Sequence, residues 1–276
     1  MSNTIELAKS FVPKLDECYR LASLTSVLDG APELAKQGAN ANELIIPMMS
    51  MDGLADYSRN GGYVQGGVET VKCNFDRGRR FDVDVMDDLE TAGLAFGRLS
   101  AQFIRDKVVP ELDAFRFASY CGISGVTKKE ETLADGAATV AALSAAVTAG
   151  RYLFITPTLL QGINDMDTTK SKKVLEGFEQ VIKVPQRRFY TAIKQLSGKT
   201  GEEAGGYTKA TGAANINFAI VQKDALIQYT KHAAPKIIAP ENNPDADAYV
   251  FGYRMVGIAK AYKNMLSGMY FSHDKA

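Results

Sequence analysis

A Gly-Lys-Thr tripeptide at Gly198-Lys199-Thr200 is the first place to look for chemistry, because such a triplet ends the loop that cradles nucleotide phosphates. That loop needs another glycine five residues before Gly198, where Ile193 stands, so the backbone cradle is missing and a flexible surface loop is expected. A nucleophilic triad needs a histidine oriented by a third group, and the chain has two histidines, His232 and His273. His232, between Lys231 and Ala233-Ala234-Pro235, is expected at a surface or strand edge, and His273 in a frayed end. Acidic pairs at Asp82 and Asp84, Asp87 and Asp88, Glu202 and Glu203, and Asp245 and Asp247 could share a metal or a proton. None has the spacing of a calcium loop, so solvated faces, helix N-termini and loops account for them. The basic cluster Arg77, Arg79 and Arg80 lacks an interleaved aromatic platform, and cross-strand ion pairs with Asp76, Asp82 and Asp84 are the expected use. The search returns no catalytic site, no cofactor site and no metal site.

Composition narrows the classes further. A chain of 276 residues, 46% hydrophobic and 23% charged, can bury a sizeable core and divide into subdomains. Its 32 basic and 32 acidic side chains cancel, so bulk attraction to nucleic acid or to an anionic membrane is not indicated. Cys18, Cys73 and Cys121 are far apart and odd in number, which argues against a zinc or redox motif and for a reducing origin. Residues 2–15 mix Glu6, Lys9 and Lys14 with apolar residues, unlike a signal peptide, and no uncharged apolar run reaches the roughly 18 residues that cross a bilayer.

The elements that would position such residues can be read from periodicity. Residues 1–42 form an arm with one short amphipathic helix, carrying Phe11, Leu15 and Tyr19 among its apolar positions. Leu44-Ile45-Ile46-Pro47 enters a strand, Arg59-Asn60-Gly61-Gly62 marks a turn, and residues 68–75 return, giving a long hairpin. The alternation Phe81-Asp82-Val83-Asp84-Val85 predicts a strand at the hairpin's base. A long hairpin with a polar, glycine-rich tip is marginal alone and needs a partner surface. From Asp87 to Gly122 apolar residues recur at helical spacing, with Pro110 expected to kink the helix near Lys107 or start a second one, and Glu111 and Asp113 suiting the new N-terminus. Further on come an alanine-rich helix at 139–148, a strand at 151–155, a helix starting at Thr156-Pro157, a glycine-rich loop at 197–212, and strands at 216–221 and 249–258.

Taken in order, Ile46-Pro47 through Asp56-Tyr57-Ser58-Arg59-Asn60-Gly61, then Thr70-Val71-Lys72-Cys73-Asn74-Phe75-Asp76-Arg77-Gly78-Arg79, then Val108-Val109-Pro110-Glu111-Leu112-Asp113-Ala114-Phe115-Arg116 resemble the major capsid proteins of tailed bacteriophages with the Hong Kong 97 fold. Residues 151–157, Val184-Pro185-Gln186 with Arg188-Phe189-Tyr190, and Asn215-Ile216-Asn217-Phe218 are similar to the same group. The resemblance implies an α+β chain with an N-terminal arm (1–42), an extended loop (43–84), a peripheral domain with a spine helix (85–125 and about 230–276) and an axial domain (126–229). It also implies self-assembly into hexamers and pentamers of an icosahedral virion head built in the host cytoplasm. Packaged double-stranded DNA would be contacted through its backbone without sequence specificity. Tyr57, Arg59, Asn60, Tyr63, Arg77 and Arg79 are the expected inter-subunit contacts. An encapsulin-like compartment shell resembles the same fold but houses protein cargo, and a soluble enzyme or small-molecule binder would need a polar pocket that the sequence does not advertise.

The chain starts directly at the arm, so a separate scaffolding protein and a portal are the expected helpers, and residues 145–151 join helix to strand by a shorter path than the group carries. Some relatives weld their shells through a lysine in the extended loop. No lysine lies between Met48 and Val71, so boiled shells should run on a denaturing gel as a single monomer band. A ladder of linked subunits would overturn this expectation.

Overall fold

Asn74 turns the chain from one sheet into the next. Its side-chain amide donates to the carbonyl of Ala259 (2.9 Å) and accepts from the Ala259 amide (3.0 Å), which closes a two-way pair like that of a strand residue. The computed structural model describes residues 22–30, 36–37, 43–50, 65–86, 95–146, 151–166 and 168–275. The arm helix, the turn at Arg59-Asn60-Gly61-Gly62, the helix start at Asp87 and Asp88, and residues 147–150 of the short joint lie outside them.

Before Asn74 stand β1 (Lys36–Gln37), β2 (Glu43–Ser50) and β3 (Gln65–Lys72), and the antiparallel pairing of β2 with β3, Glu43 against Lys72, bears out the hairpin. After it, β4 (Phe75–Asp84) leads to α1 (Ala95–Phe103), a π-helical segment at Ile104–Val108 and α2 (Val109–Gly122). Next come β5 (Thr127–Glu130), α3 (Gly136–Ala146), β6 (Tyr152–Ile155), α4 (Pro157–Asp165), α5 (Thr169–Glu176) and β7 (Gln180–Lys183). Then follow β8 (Ile193–Gln195), β9 (Tyr207–Lys209), β10 (Ile216–Val221), β11 (Leu226–Ile238), β12 (Ala248–Ala261) and β13 (Met269–His273).

The strand read at 81–85 is longer than its alternation suggested and pairs elsewhere. β4 lies antiparallel to β12, Phe81 against Phe251, in a three-stranded sheet of order β11-β12-β4, and not on the β2–β3 hairpin. Its inward residues Phe75, Phe81 and Val83 meet the helical segments, with Phe75 4.9 Å from Phe115 and Phe81 5.5 Å from Phe103, ring centroid to centroid. β11, unread in the sequence, tolerates Pro235 because it is an edge strand.

Pro110 has the expected effect by a specific route. A proline within a helix has no amide to donate and its ring crowds the carbonyl four residues back. The chain takes one wider turn ahead of it, in which the Val109 amide donates to the Ile104 carbonyl. Beyond the bulge α2 is apolar around most of its circumference and serves two cores. Val109 and Leu112 pack on the three-stranded sheet, while Phe117, Tyr120 and Cys121 pack on a five-stranded sheet of order β5-β13-β10-β6-β7.

That second sheet is buried on both faces. Tyr152 and Phe154 of β6 face α2, whereas Leu153 and Ile155 face α3, α4 and α5, which is the period of a strand buried on both sides. Thr156 precedes α4 with Pro157 at its first position, as read, but Thr156 makes no side-chain cap; its amide donates instead to the Asn217 carbonyl. The chain's last strand, β13, closes this sheet between β10 and β5 and holds His273, which the sequence placed in a frayed end.

Phe117 is the pivot of the larger core, fully buried with ring centroids 5.1 Å from Phe154 and 4.8 Å from Phe189. Phe117→Ala should lower the stability of the protein by ~3–5 kcal/mol in urea unfolding.

Candidate functional site

Asp113 and Arg116 lie three residues apart on α2, at the seam between its two cores, and both are buried, 0% and 2% exposed. The Asp113 carboxylate gathers residues 23–25: it accepts from the Ser23 hydroxyl (3.0 Å), the Leu24 amide (3.1 Å), the Thr25 amide (3.3 Å) and the Thr25 hydroxyl (2.6 Å). Arg188 donates to its second oxygen at 3.1 Å. Arg116 donates to the Thr25 hydroxyl (2.8 Å), to the Asp29 carboxylate (3.1 Å) and to the Thr230 hydroxyl of β11 (3.4 Å). Gln228 completes the set, donating to the Thr25 carbonyl and to Asp29, both at 2.7 Å, and accepting from the Tyr120 hydroxyl at 2.6 Å. Residues 22–29 are thus fixed to α2, to the segment before β8 and to the edge of the three-stranded sheet. The sequence reading gave Asp113 to a helix N-terminus, and the signal it passed over was position: on a helix apolar nearly all round, charges at i and i+3 have nowhere to go but inward.

A second joint lies on the inward face of β4. Arg77 pairs with Glu111 of α2 (2.8 Å) and donates to the carbonyls of Leu196 (2.7 Å) and Gly206 (3.3 Å), at the two ends of the loop joining β8 to β9. Arg79 donates to the carbonyls of Glu203 (3.0 Å) and Ala204 (3.3 Å) in the same loop. Gly205 has φ +62°, a left-handed conformation that side chains rarely adopt, and the Arg79 guanidinium lies close beside it. A cleft of about 90 Å³ remains between strand and loop, lined by Phe103, Lys107, Glu111 and Tyr253 among others. Burial pushes the Glu111 carboxyl above its ordinary range, and the neighbouring Arg77 opposes that shift.

The basic cluster therefore divides. Arg80 pairs with Asp82 along its own strand (3.3 Å), and the cross-strand partner of Asp76 is Arg254, engaged at 2.8 and 2.6 Å, in place of the expected arginines. Tyr57, Arg59, Asn60 and Tyr63 lie outside the described residues.

The remaining candidates for chemistry have structural roles. Gly198-Lys199-Thr200 sits in the β8–β9 loop and precedes no helix. Glu202 in that loop accepts from Lys194 and from the Ser197 amide, both at 2.7 Å, and these bonds, Lys194's first, hold its carboxyl down at about 2. Its contribution to loop order is therefore present above the ordinary carboxylate pKa and is lost as pH falls towards 2. Glu203 is lowered chiefly by the Gly201 amide. Asp82, Asp84, Asp245 and Asp247 are exposed. Among the described residues no three His, Cys, Asp or Glu side chains converge on a metal position, Cys121 is a buried free thiol, and no helix is long and apolar enough to cross a membrane.

No protein-family model and no curated protein matches the sequence. Solved structures do match the fold. The virus-like particle from Pyrococcus furiosus aligns over 97% of this chain and 99% of its own, with a TM-score of 0.59 at 10% identity. A structure from Mycobacterium phage Che8 aligns over 84% and 85%, with a TM-score of 0.53 at 10% identity, and the head structure of Helicobacter pylori bacteriophage KHP40 over 89% and 87%, with 0.52 at 8% identity. The chain has the α+β fold of tailed-phage capsid proteins.

Asp113→Asn removes the charge facing Arg188 and turns an amide donor towards donors that need an acceptor, so it should cost ~3–5 kcal/mol in urea unfolding. Protease nicking near residues 22–30 should precede global unfolding.

Proposed function

We propose that the protein is the structural subunit of a closed shell, with no catalytic role: the major capsid protein of a tailed bacteriophage. The observation that carries this reading is the match in fold along almost the whole chain to a virus-like particle and a phage head. In the proposed arrangement subunits form pentamers and hexamers through heterologous contacts that close into an icosahedron. Residues 1–42 serve as the arm, 43–84 as the extended loop, 85–125 with about 230–276 as the peripheral domain, and 126–229 as the axial domain. β13, within 230–276, pairs with β10, within 126–229, so that strand would join the two proposed domains.

Tyr57, Arg59, Asn60 and Tyr63 are proposed to lie on a neighbouring subunit. Arg77 and Arg79 already donate within their own subunit, so their proposed share in assembly is to set the angle at which strand and loop meet the next copy. Double-stranded DNA would be held inside through its phosphates without base readout, with a separate scaffolding protein and a portal as helpers. The location is then the virion, after assembly in the host cytoplasm.

A second reading, a compartment shell of the encapsulin type, is favoured by one observation: the Pyrococcus furiosus particle is matched over nearly the full length of both chains. The purified protein, alone and with co-expressed scaffold, is to be sized by gel filtration and viewed by negative-stain electron microscopy. Closed particles, capsomer rings or tubes are expected, and removal of residues 56–67 should abolish them while leaving the urea transition of the subunit in place. Particles from the native source that hold protein cargo instead of DNA would transfer the assignment to the second reading, and a protein that stays a monomer or dimer with scaffold present would end both.

A further inference from the structure

Three glycines stand in the three-stranded sheet, Gly78 in β4 and Gly252 and Gly257 in β12. A glycine inside a strand weakens it and marks a place where something comes close to the backbone. For two of them that neighbour is the subunit itself: a Cβ on Gly78 would stand 2.7 Å from the Tyr253 carbonyl oxygen, and one on Gly257 3.1 Å from the Tyr229 carbonyl oxygen. Gly252 differs. A Cβ there would meet nothing nearer than 3.8 Å, and its φ lies outside the left-handed region. Neither packing nor backbone conformation within the subunit calls for a glycine in the middle of the central strand.

What surrounds Gly252 is positive charge. In register it lies between Arg80 of β4 and Lys236 of β11, so two cations flank a bare stretch of backbone, about 10 Å apart at their roots. With Arg254, two residues along the same face, they line a shallow open depression of about 640 Å³. Arg80 and Arg254 hold Asp82 and Asp76 in exposed ion pairs, of a kind that adds little to stability. Lys236 is exposed and pairs with no carboxylate among the described residues.

The same sheet carries the complementary surface. The turn joining β11 to β12 presents Glu241, Asp245 and Asp247, all exposed, and no lysine or arginine occurs between Ile238 and Tyr253. The turn is held in shape: the Asn243 side chain donates to the Ala248 carbonyl (3.1 Å) and accepts from the Asp245 amide (3.3 Å), and the Val85 amide donates to the Asp247 carbonyl (3.2 Å). Gly252 lies about 13 Å back along β12 from Ala248, the first residue after the turn, so a copy cannot lay the tip of this hairpin in its own depression. Along β4 the cations are bordered by Asp76 on one side and by Asp82 and Asp84 on the other, all exposed. Those carboxylates oppose a nucleic-acid backbone laid across the face, whereas a single turn enters between them.

We propose that the depression over Gly252 receives the acidic β11–β12 turn of a second copy of this chain, with Arg80 and Lys236 taking its carboxylates. The inference rests on the shell reading above and names one contact by which the copies join. Turn and depression are different surfaces of one chain, so the contact is heterologous and can pass from copy to copy around a ring. A bare glycine lets the turn come down onto the strand between the two cations, where any side chain would hold it off.

Lys236→Glu, the pair Asp245→Lys with Asp247→Lys, all three together, and Gly252→Val are each made in the full chain with scaffold co-expressed. The threshold concentration for particle formation and the urea unfolding of the unassembled subunit are measured. Each reversal should raise the threshold about tenfold or more, because it sets like charges against each other, and the triple variant should return to within about threefold of the wild type. Gly252→Val should raise the threshold too, with an unfolding midpoint equal to or above the wild type's, since valine suits a central strand. A triple variant no better than the worse of its parents would overturn the proposal and give the depression to another anion, a scaffold carboxylate or a DNA phosphate. So would a Gly252→Val threshold equal to the wild type's, or a Gly252→Val subunit that unfolds more easily, which would place the glycine's role inside the subunit. Wild-type shells without rescue in the triple variant remove this contact alone; a wild type that stays monomeric at every concentration removes the shell reading and the contact with it.

Discussion

The buried carboxylate of Asp113 is the constraint on which the rest depends. One residue accepts from two hydroxyls, two amides and a guanidinium, drawn from the arm and from the segment before β8. Taking a carboxylate out of water is costly, and the cost is met here because every lone-pair direction has a donor. This makes the joint all-or-none: losing a donor leaves a buried acceptor unsatisfied, whereas the complete set fixes residues 23–25 in one place.

α2 carries this joint because it belongs to two cores at once. Its first turn lies against the three-stranded sheet and its last turns against the five-stranded sheet, so the polar pair at Asp113 and Arg116 falls where neither apolar surface reaches. The π segment ahead of Pro110 lets the helix absorb a residue that a straight helix would reject, and it does so beside the cleft between β4 and the β8–β9 loop. The two regions are therefore coupled in two ways, by a fully buried network and by guanidinium-to-carbonyl bonds from Arg77 and Arg79. The second set is partly exposed and bonds to backbone, so it can give before the first.

The arginines illustrate how one side chain is used for three ends. Arg116 and Arg188 have carboxylates and act within the subunit; Arg77 and Arg79 bridge strand to loop; Arg254 holds Asp76 on the exposed face. A planar fork with five donors suits each of these.

Periodicity determined much of the frame. The apolar runs at Tyr152 to Ile155 and at Ile216 to Val221, the β2–β3 hairpin, the helix ending at Gly122 and the disturbance caused by Pro110 were legible because each is a local pattern of apolar residues or a local backbone rule. The α+β class and the order of motifs carried the resemblance. What tertiary structure alone decided was partnership. β4 pairs with a strand some 170 positions later, β11 with its proline becomes an edge strand, and β13 returns to the five-stranded sheet. Asp113, Arg116 and Arg77 read as charges to be solvated, since a sequence shows which residues lie on one helix face but not what will be laid against that face. Pairing across long sequence separation depends on which surfaces meet, and hydrogen-bond donors for a buried carboxylate 88 to 90 residues away are specified by that meeting, not by any local spacing.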